Sequence, residues 1–364
     1  MRHIRAFILL IILLVGGYIL LTSSSETPSL ITENENFIEE QIQGMSLDQK
    51  IGQLLIVGFE NPHLDNHIRE MITRRYIGGV NLLARNVQDK TQITNLIRNL
   101  KILNISRSPI PLLIAADQEG GSIVRFNFMK ELTPQSKITN ATSAERVAYI
   151  RGGELKEIGV NMNFAPLADY VTSTKAYLWP RVFHGTPSQI TEWTEAMLQG
   201  YSRAGVIPVL KHFPGYGNVT PDPHATSTLL NLSDTALEIH LSPFRELIRT
   251  GDVPALMTAH IIIPRVDSRP ATFSSRFMEI LRNEWKFEGV IITDDLEMGS
   301  TGFSEGDAAL EALKAGGDML ILTKTPAKQI AAFERLKTAV IEGDISEARL
   351  NMSLRRILKL KANL

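Results

Sequence analysis

The chain has 364 residues, 44% of them hydrophobic and 21% charged, a globular composition long enough for one large domain or two modest ones. A formal charge of −1 with no basic run argues against a polyanion partner such as nucleic acid, since phosphate neutralisation needs clustered Lys and Arg. The absence of cysteine excludes disulfides, thiolate metal sites, a cysteine nucleophile and a lipidated N-terminal Cys.

At the start of the chain, Arg2, His3 and Arg5 precede an apolar run from Ala6 to Leu21, and Glu26, Glu33 and Glu35 come after it. That charge order predicts export of everything downstream. Residues 1–21 read as a signal anchor in the inner membrane or as a signal peptide, with no clear small-x-small cleavage site after them. Residues 22–39, polar and without apolar periodicity, read as a linker, and 40–364 as a single folded domain.

Eight short apolar runs then alternate with helical periodicity: 54–59, 78–84, 111–117, 160–166, 206–213, 255–261, 289–295 and 318–323. Helices are expected in "SAERVAYIRGGELKEIG", "SQITEWTEAMLQGYSRAG" and "SDTALEIHLSPFRELIRTG", each with its opening Ser as a cap and a Gly at its end. Continuous apolar strands, each with a helix after it, imply a parallel sheet covered on both faces. Eight such units predict an α/β fold, a closed (β/α)8 TIM barrel, with an open doubly wound sheet as the alternative. In such barrels the active site lies at the C-terminal ends of the strands. Here those ends carry Asp117-Gln118-Glu119, Asn163, Lys211-His212, Thr258, His260 and Thr293-Asp294-Asp295, while the starts are apolar or Gly/Pro.

Two stretches carry chemistry. In "GVIITDDLEM" two carboxylates leave the strand together, more than one helix cap requires, so Asp294 or Asp295 is a catalytic candidate. In "KHFPGYGNVTPDPH", residues 211–224, Pro214, Gly215 and Gly217 stop the strand, and the chain continues as a loop at the functional face. Pro221 and Pro223 hold Asp222-Pro223-His224 extended, which turns side chains i and i+2 the same way, so the carboxylate can orient the imidazole. An oriented histidine is a proton-transfer unit, yet no G-x-S-x-G elbow accompanies it. A proton donor with a separate carboxylate is the parts list of a retaining glycosidase. His212, Asp222, His224 and His260 are also metal-ligand types, but they lack H-x-H or H-E-x-x-H spacing, so no metal is expected.

"KHFPGYGNVTPDPH" resembles the K-H-F-P-G-x-G-x-x-x-x-D-x-H signature of glycoside hydrolase family 3, in its β-N-acetylhexosaminidase branch. The likeness extends from about 46 to 361 through "IGQLLIVGF", "DQEGGSIVRF", "NFAPLAD", "PRVFHG", "MTAHIIIP", "EGVIITDDLEM" and "SLRRILKLK". The resemblance implies that Asp294 is the nucleophile, that His224 is the general acid/base on a mobile loop with Asp222 assisting, and that Asp117, Arg125, Arg181, Lys211 and His212 bind the sugar. It implies an exo-acting, retaining β-N-acetylglucosaminidase for peptidoglycan fragments or chitooligosaccharides, with no metal or organic cofactor. This chain departs from the branch at Pro223, where Ser or Thr is usual, and the substitution bears on how that loop closes. The alternatives are a phosphorylase, a β-glucosidase of the same family, or a membrane-tethered glycan-binding barrel without turnover. The residues do not specify an oligomeric state.

Overall fold

The computed structural model describes residues 29–220, 222, 228–299, 303, 306–362 and 364; the apolar run at 1–21 lies outside them. Among the described residues no helix is long and apolar enough to cross a membrane. The chain divides into two compact units after Gly44. In the first, helix α1 (Ser29–Gly44) covers part of the stretch expected as linker. The expectation rests on the absence of apolar periodicity, but the segment carries four Glu and two Gln and has no Gly or Pro before Gly44, so helix is not opposed locally.

The second unit is the barrel. Its strands are β1 (Leu55–Val57), β2 (Gly79–Leu82), β3 (Leu113–Ala116), β4 (Met162–Asn163), β5 (Ile207–Phe213), β6 (Ala255–Thr258), β7 (Val290–Thr293) and β8 (Leu320–Leu322). All eight fall within the apolar runs. They pair in parallel in the order β8-β1-β2-β3-β4-β5-β6-β7. The ring closes where Ile292 bridges Met319 and the Thr293 amide donates to the Met319 carbonyl at 2.9 Å. Closure leaves no sheet edge, and it removes the open doubly wound alternative.

Helices α2 (Leu47–Gly52), α3 (Asn66–Arg75), α4 (Lys90–Ile105), α5 (Ala141–Ile158), α6 (Pro187–Arg203), α7 (Asp234–Thr250), α8 (Ser275–Glu279), α9 (Asp307–Ala315), α10 (Pro326–Ile341) and α11 (Glu347–Lys361) surround it. Of the three predicted Ser caps only Ser233 caps, accepting from the Ala236 amide. Helix α5 starts earlier, at the cap Asn140, and α6 at Thr186, where a capping box with Gln189 and a proline at the first turn leave Ser188 inside the helix. Helices α5 and α6 pack closely through Ala144, Val147, Ala148, Ile190, Met197 and Tyr201. A second apolar cluster under the β5–β7 side gathers Phe213, Phe244, Phe277 and Leu281. Each such buried side chain contributes roughly 1.5–3 kcal/mol.

Candidate active site

Side chains alternate along a strand, so Ala115 and Asp117 share the barrel's inner face, and Asp117 emerges at its C-terminal mouth. From β5 the buried Lys211 reaches across: its Nζ donates to Asp117 Oδ1 at 2.9 Å and pairs with Glu119 Oε1 at 2.7 Å. Arg125 Nη2 lies 3.3 Å from Asp117 Oδ2. Arg181 grips Glu119 with both arms, Nε to Oε2 at 2.9 Å and Nη2 to Oε1 at 2.7 Å. Burial pushes the Asp117 and Glu119 carboxyls up, but the cations outweigh it and hold both below the usual range: Lys211 then Arg125 for Asp117, Arg181 then Lys211 for Glu119. Lys211 is the mirror case. Burial pulls its ammonium down, and Glu119 and Asp117 more than restore it. Asp117, Glu119, Lys211 and Arg181 thus hold one another ionised, with Arg125 paired at the edge.

His212 is set by Asp169, a residue to which the sequence attaches no role. Asp169 accepts from the His212 backbone amide at 2.9 Å, from His212 Nδ1 at 3.0 Å and from the Tyr216 amide at 2.8 Å. With the Nδ1 proton on the Asp169 side, Nε2 is the nitrogen left for a ligand. Burial raises the Asp169 carboxyl, and His212 with these donors brings it below its ordinary value.

The two adjacent aspartates, both at the cavity, differ in strand face and in hydrogen bonding. Ile292 pairs with Met257, which lines the cavity, and Asp294 comes two residues later on the same face. Asp294 Oδ1 accepts the Asp295 amide at 2.8 Å; its Oδ2 has no hydrogen bond among the described residues. Asp295 has both oxygens engaged, Oδ2 by the Thr323 hydroxyl at 2.6 Å and Oδ1 by the Glu297 amide at 3.0 Å. Burial pushes its carboxyl up to about 6. Asp295 ties β7 to β8, and Asp294 keeps one oxygen unbonded among the described residues.

That cavity, of about 250 Å³, is lined by Asp117, Arg125, Arg181, Lys211, His212 and Asp294, all predicted from sequence, together with Glu119 and Asp295. Asp222 is not part of its lining. It hydrogen-bonds Tyr177, whose hydroxyl is raised by burial first and by the Asp222 carboxylate second. Tyr177 lies four residues before Arg181, so the segment after β4 holds one end of the 211–224 motif and clamps Glu119 with the other. His224 and Pro223 lie outside the described residues, and so does the expected Asp222–His224 pairing. His260, weighed as a ligand type, contacts the Asp295 carbonyl through Nε2 at 3.1 Å. Glu119, Asp169 and Tyr177 were missed as site residues. The first two did have a signal, a carboxylate just past an apolar run in "DQEGG" and "NFAPLAD"; Tyr177 had none.

A closed parallel barrel with paired carboxylates and forked cations around one mouth defines an enzyme for a hydroxyl-rich ligand, because these groups supply acceptors and donors at hydroxyl spacing. The pattern of the glycosyl hydrolase family 3 N terminal domain matches residues 46–360. A β-hexosaminidase of Nitrosomonas eutropha is 34% identical over 272 residues, 71% of this chain and 77% of that protein. The solved family 3 β-N-acetylglucosaminidase of Paenibacillus sp. str. FPU-7 superposes with a TM-score of 0.85 at 34% identity, over 88% of this chain and 63% of that one. For the β-N-acetylhexosaminidase of Beutenbergia cavernae the TM-score is 0.80 at 26% identity, over 87% and 99%. The chain belongs to glycoside hydrolase family 3, in its β-N-acetylhexosaminidase branch.

Proposed function

We propose that this protein is a retaining, exo-acting β-N-acetylglucosaminidase that works through a covalent glycosyl-aspartate. The observation that carries the reading is the Oδ2 of Asp294, without a hydrogen bond among the described residues, just past β7 and across the mouth from Asp117 just past β3, four strands round the ring of eight. A sugar seated between them has its anomeric carbon at Asp294 and its far hydroxyls at the Asp117 cluster. Asp294 Oδ2 attacks that carbon while the glycosidic bond breaks and His224 gives its proton to the leaving oxygen. His224 then takes a proton from water, which attacks the same carbon, frees Asp294 and releases the sugar with retained configuration. Asp222 assists His224 by charge. The His224 role rests on its place in the 211–224 motif. The family resemblance supports peptidoglycan fragments or chitooligosaccharides as substrates, and Arg2 and Arg5 ahead of the apolar run support a barrel held outside the inner membrane.

The test is release of p-nitrophenol from its β-N-acetylglucosaminide and β-glucoside. Wild type is expected to turn over the first, Asp294→Asn to lose at least about 10³-fold in kcat, and His224→Ala about 10²–10⁴-fold. Retention is read from the anomer first formed, by NMR. An inverted product, or an Asp294→Asn variant with wild-type turnover, removes the mechanism. Inactivity of wild type on both sugars removes the reading.

A further inference from the structure

We propose that Asn81 hydrogen-bonds the exocyclic 6-hydroxyl of the sugar in this cavity, and so selects substrates that keep that hydroxyl free. The inference rests on the glycosidase reading above. Asn81 is on β2, level with Ala115 on β3, and shares the inner face that Asp117 occupies one step further up. It is 4% exposed and lines the cavity, and its Oδ1 is buried with no hydrogen-bond partner among the described residues. Buried amide oxygens are almost always satisfied, and an unsatisfied one costs stability. Elsewhere in the cavity lining Lys211, Arg181, Glu119, His212, Asp295 and Thr323 all have partners; the other buried lining atom without one among the described residues is Arg125 Nε, on a guanidinium already beside Asp117. An amide left over in a substrate cavity is a contact awaiting its ligand.

The strand order says which part of the ligand it meets. With the anomeric carbon at β7 and the opposite end of the ring at β3, the two halves of a pyranose face opposite walls of the barrel. One wall carries Lys211 and His212 on β5, charged donors for hydroxyls borne directly on the ring. The other, running β8-β1-β2, offers Ile321, Leu83 and the neutral amide of Asn81, with Arg85, Thr323 and Lys324 past the strand ends already engaged by the protein: Arg85 by the Phe59 carbonyl and Glu60, Thr323 by Asp295, and Lys324 by the Glu297 carbonyl. A hydroxymethyl arm has the same make-up, one apolar methylene and one hydroxyl. A hydroxyl both donates and accepts, so the amide satisfies it in either orientation about χ2.

The experiment measures kcat/KM of wild type and Asn81→Ala on p-nitrophenyl β-N-acetylglucosaminide and on its 6-deoxy analogue. Wild type is expected to lose about 5- to 50-fold on the 6-deoxy substrate, and the variant a similar factor on the parent, with little further loss when both changes are combined. Equal losses by the variant on both substrates, or none on the parent, overturn the inference, as does a wild type indifferent to the 6-deoxy change. That last comparison needs no variant, so it decides the matter even if Asn81→Ala fails to fold. A wild type inactive on the parent overturns the glycosidase reading and this inference with it; an active one separates the two.

Discussion

Asp295 shows how neighbouring carboxylates acquire different work. Burial lifts it from an ordinary 3.8 to about 6, so within that window the folded chain keeps a proton that the unfolded chain has released. Its contribution to stability is therefore full below 3.8 and is lost as pH rises through about 6. Asp295→Asn is expected to flatten the melting temperature across that range relative to wild type, the Thr323 hydroxyl turning to suit the amide; an unchanged slope would assign the pH dependence elsewhere. The same scale separates the legible residues from the illegible ones. Asp294, Lys211 and His212 could be read because strand ends and a dense motif mark them. Asp169 could not be assigned its role, since nothing in its neighbourhood says that it will meet His212, 43 residues later.

Elements were legible in kind and less so at their ends. All eight strands were placed by continuous apolar runs, whereas two of three helix caps moved, because several Ser, Thr and Asn lie near each start and only the three-dimensional entry of the chain chooses among them. The contact between α5 and α6 was not legible at all. A Cβ at Gly200 would stand 2.5 Å from the Glu145 carbonyl oxygen, and one at Gly152 2.7 Å from the Ala204 Cβ. These helices approach so closely because two glycines face the seam. Gly200→Ala is expected to destabilise by about 1–3 kcal/mol despite better helix propensity, read by urea unfolding. A gain in stability would mean the seam can open without cost.

On the scale of the whole molecule, the last helix closes the end of the barrel opposite the active site. Lys361, at the end of α11, is buried and donates to Gln53 Oε1 and to the Gly78 carbonyl, each at 2.7 Å, just ahead of β1 and β2. Burial lowers its ammonium to about 7 from 10.5. Between those values the unfolded chain holds a proton that the folded one lacks, so stability is expected to rise with pH from about 7 toward 10.5. Lys361→Met should abolish that rise; urea midpoints at pH 7 and 9 check it, and a variant with the wild-type rise would clear Lys361 of the effect.

By itself the sequence determined the barrel and most of the residues that line its mouth, because strand count, one-sided polarity and a fourteen-residue motif are local signals. Only the tertiary structure decided that Glu119 and Asp169 hold the cations and the imidazole, that Tyr177 takes Asp222, and, among the described residues, that Asp294 keeps one oxygen unbonded and Asn81 is left without a partner. The contacts of Glu119, Asp169 and Tyr177 join residues on different strands or loops. Closing the ring sets such distances, and no stretch of chain contains them.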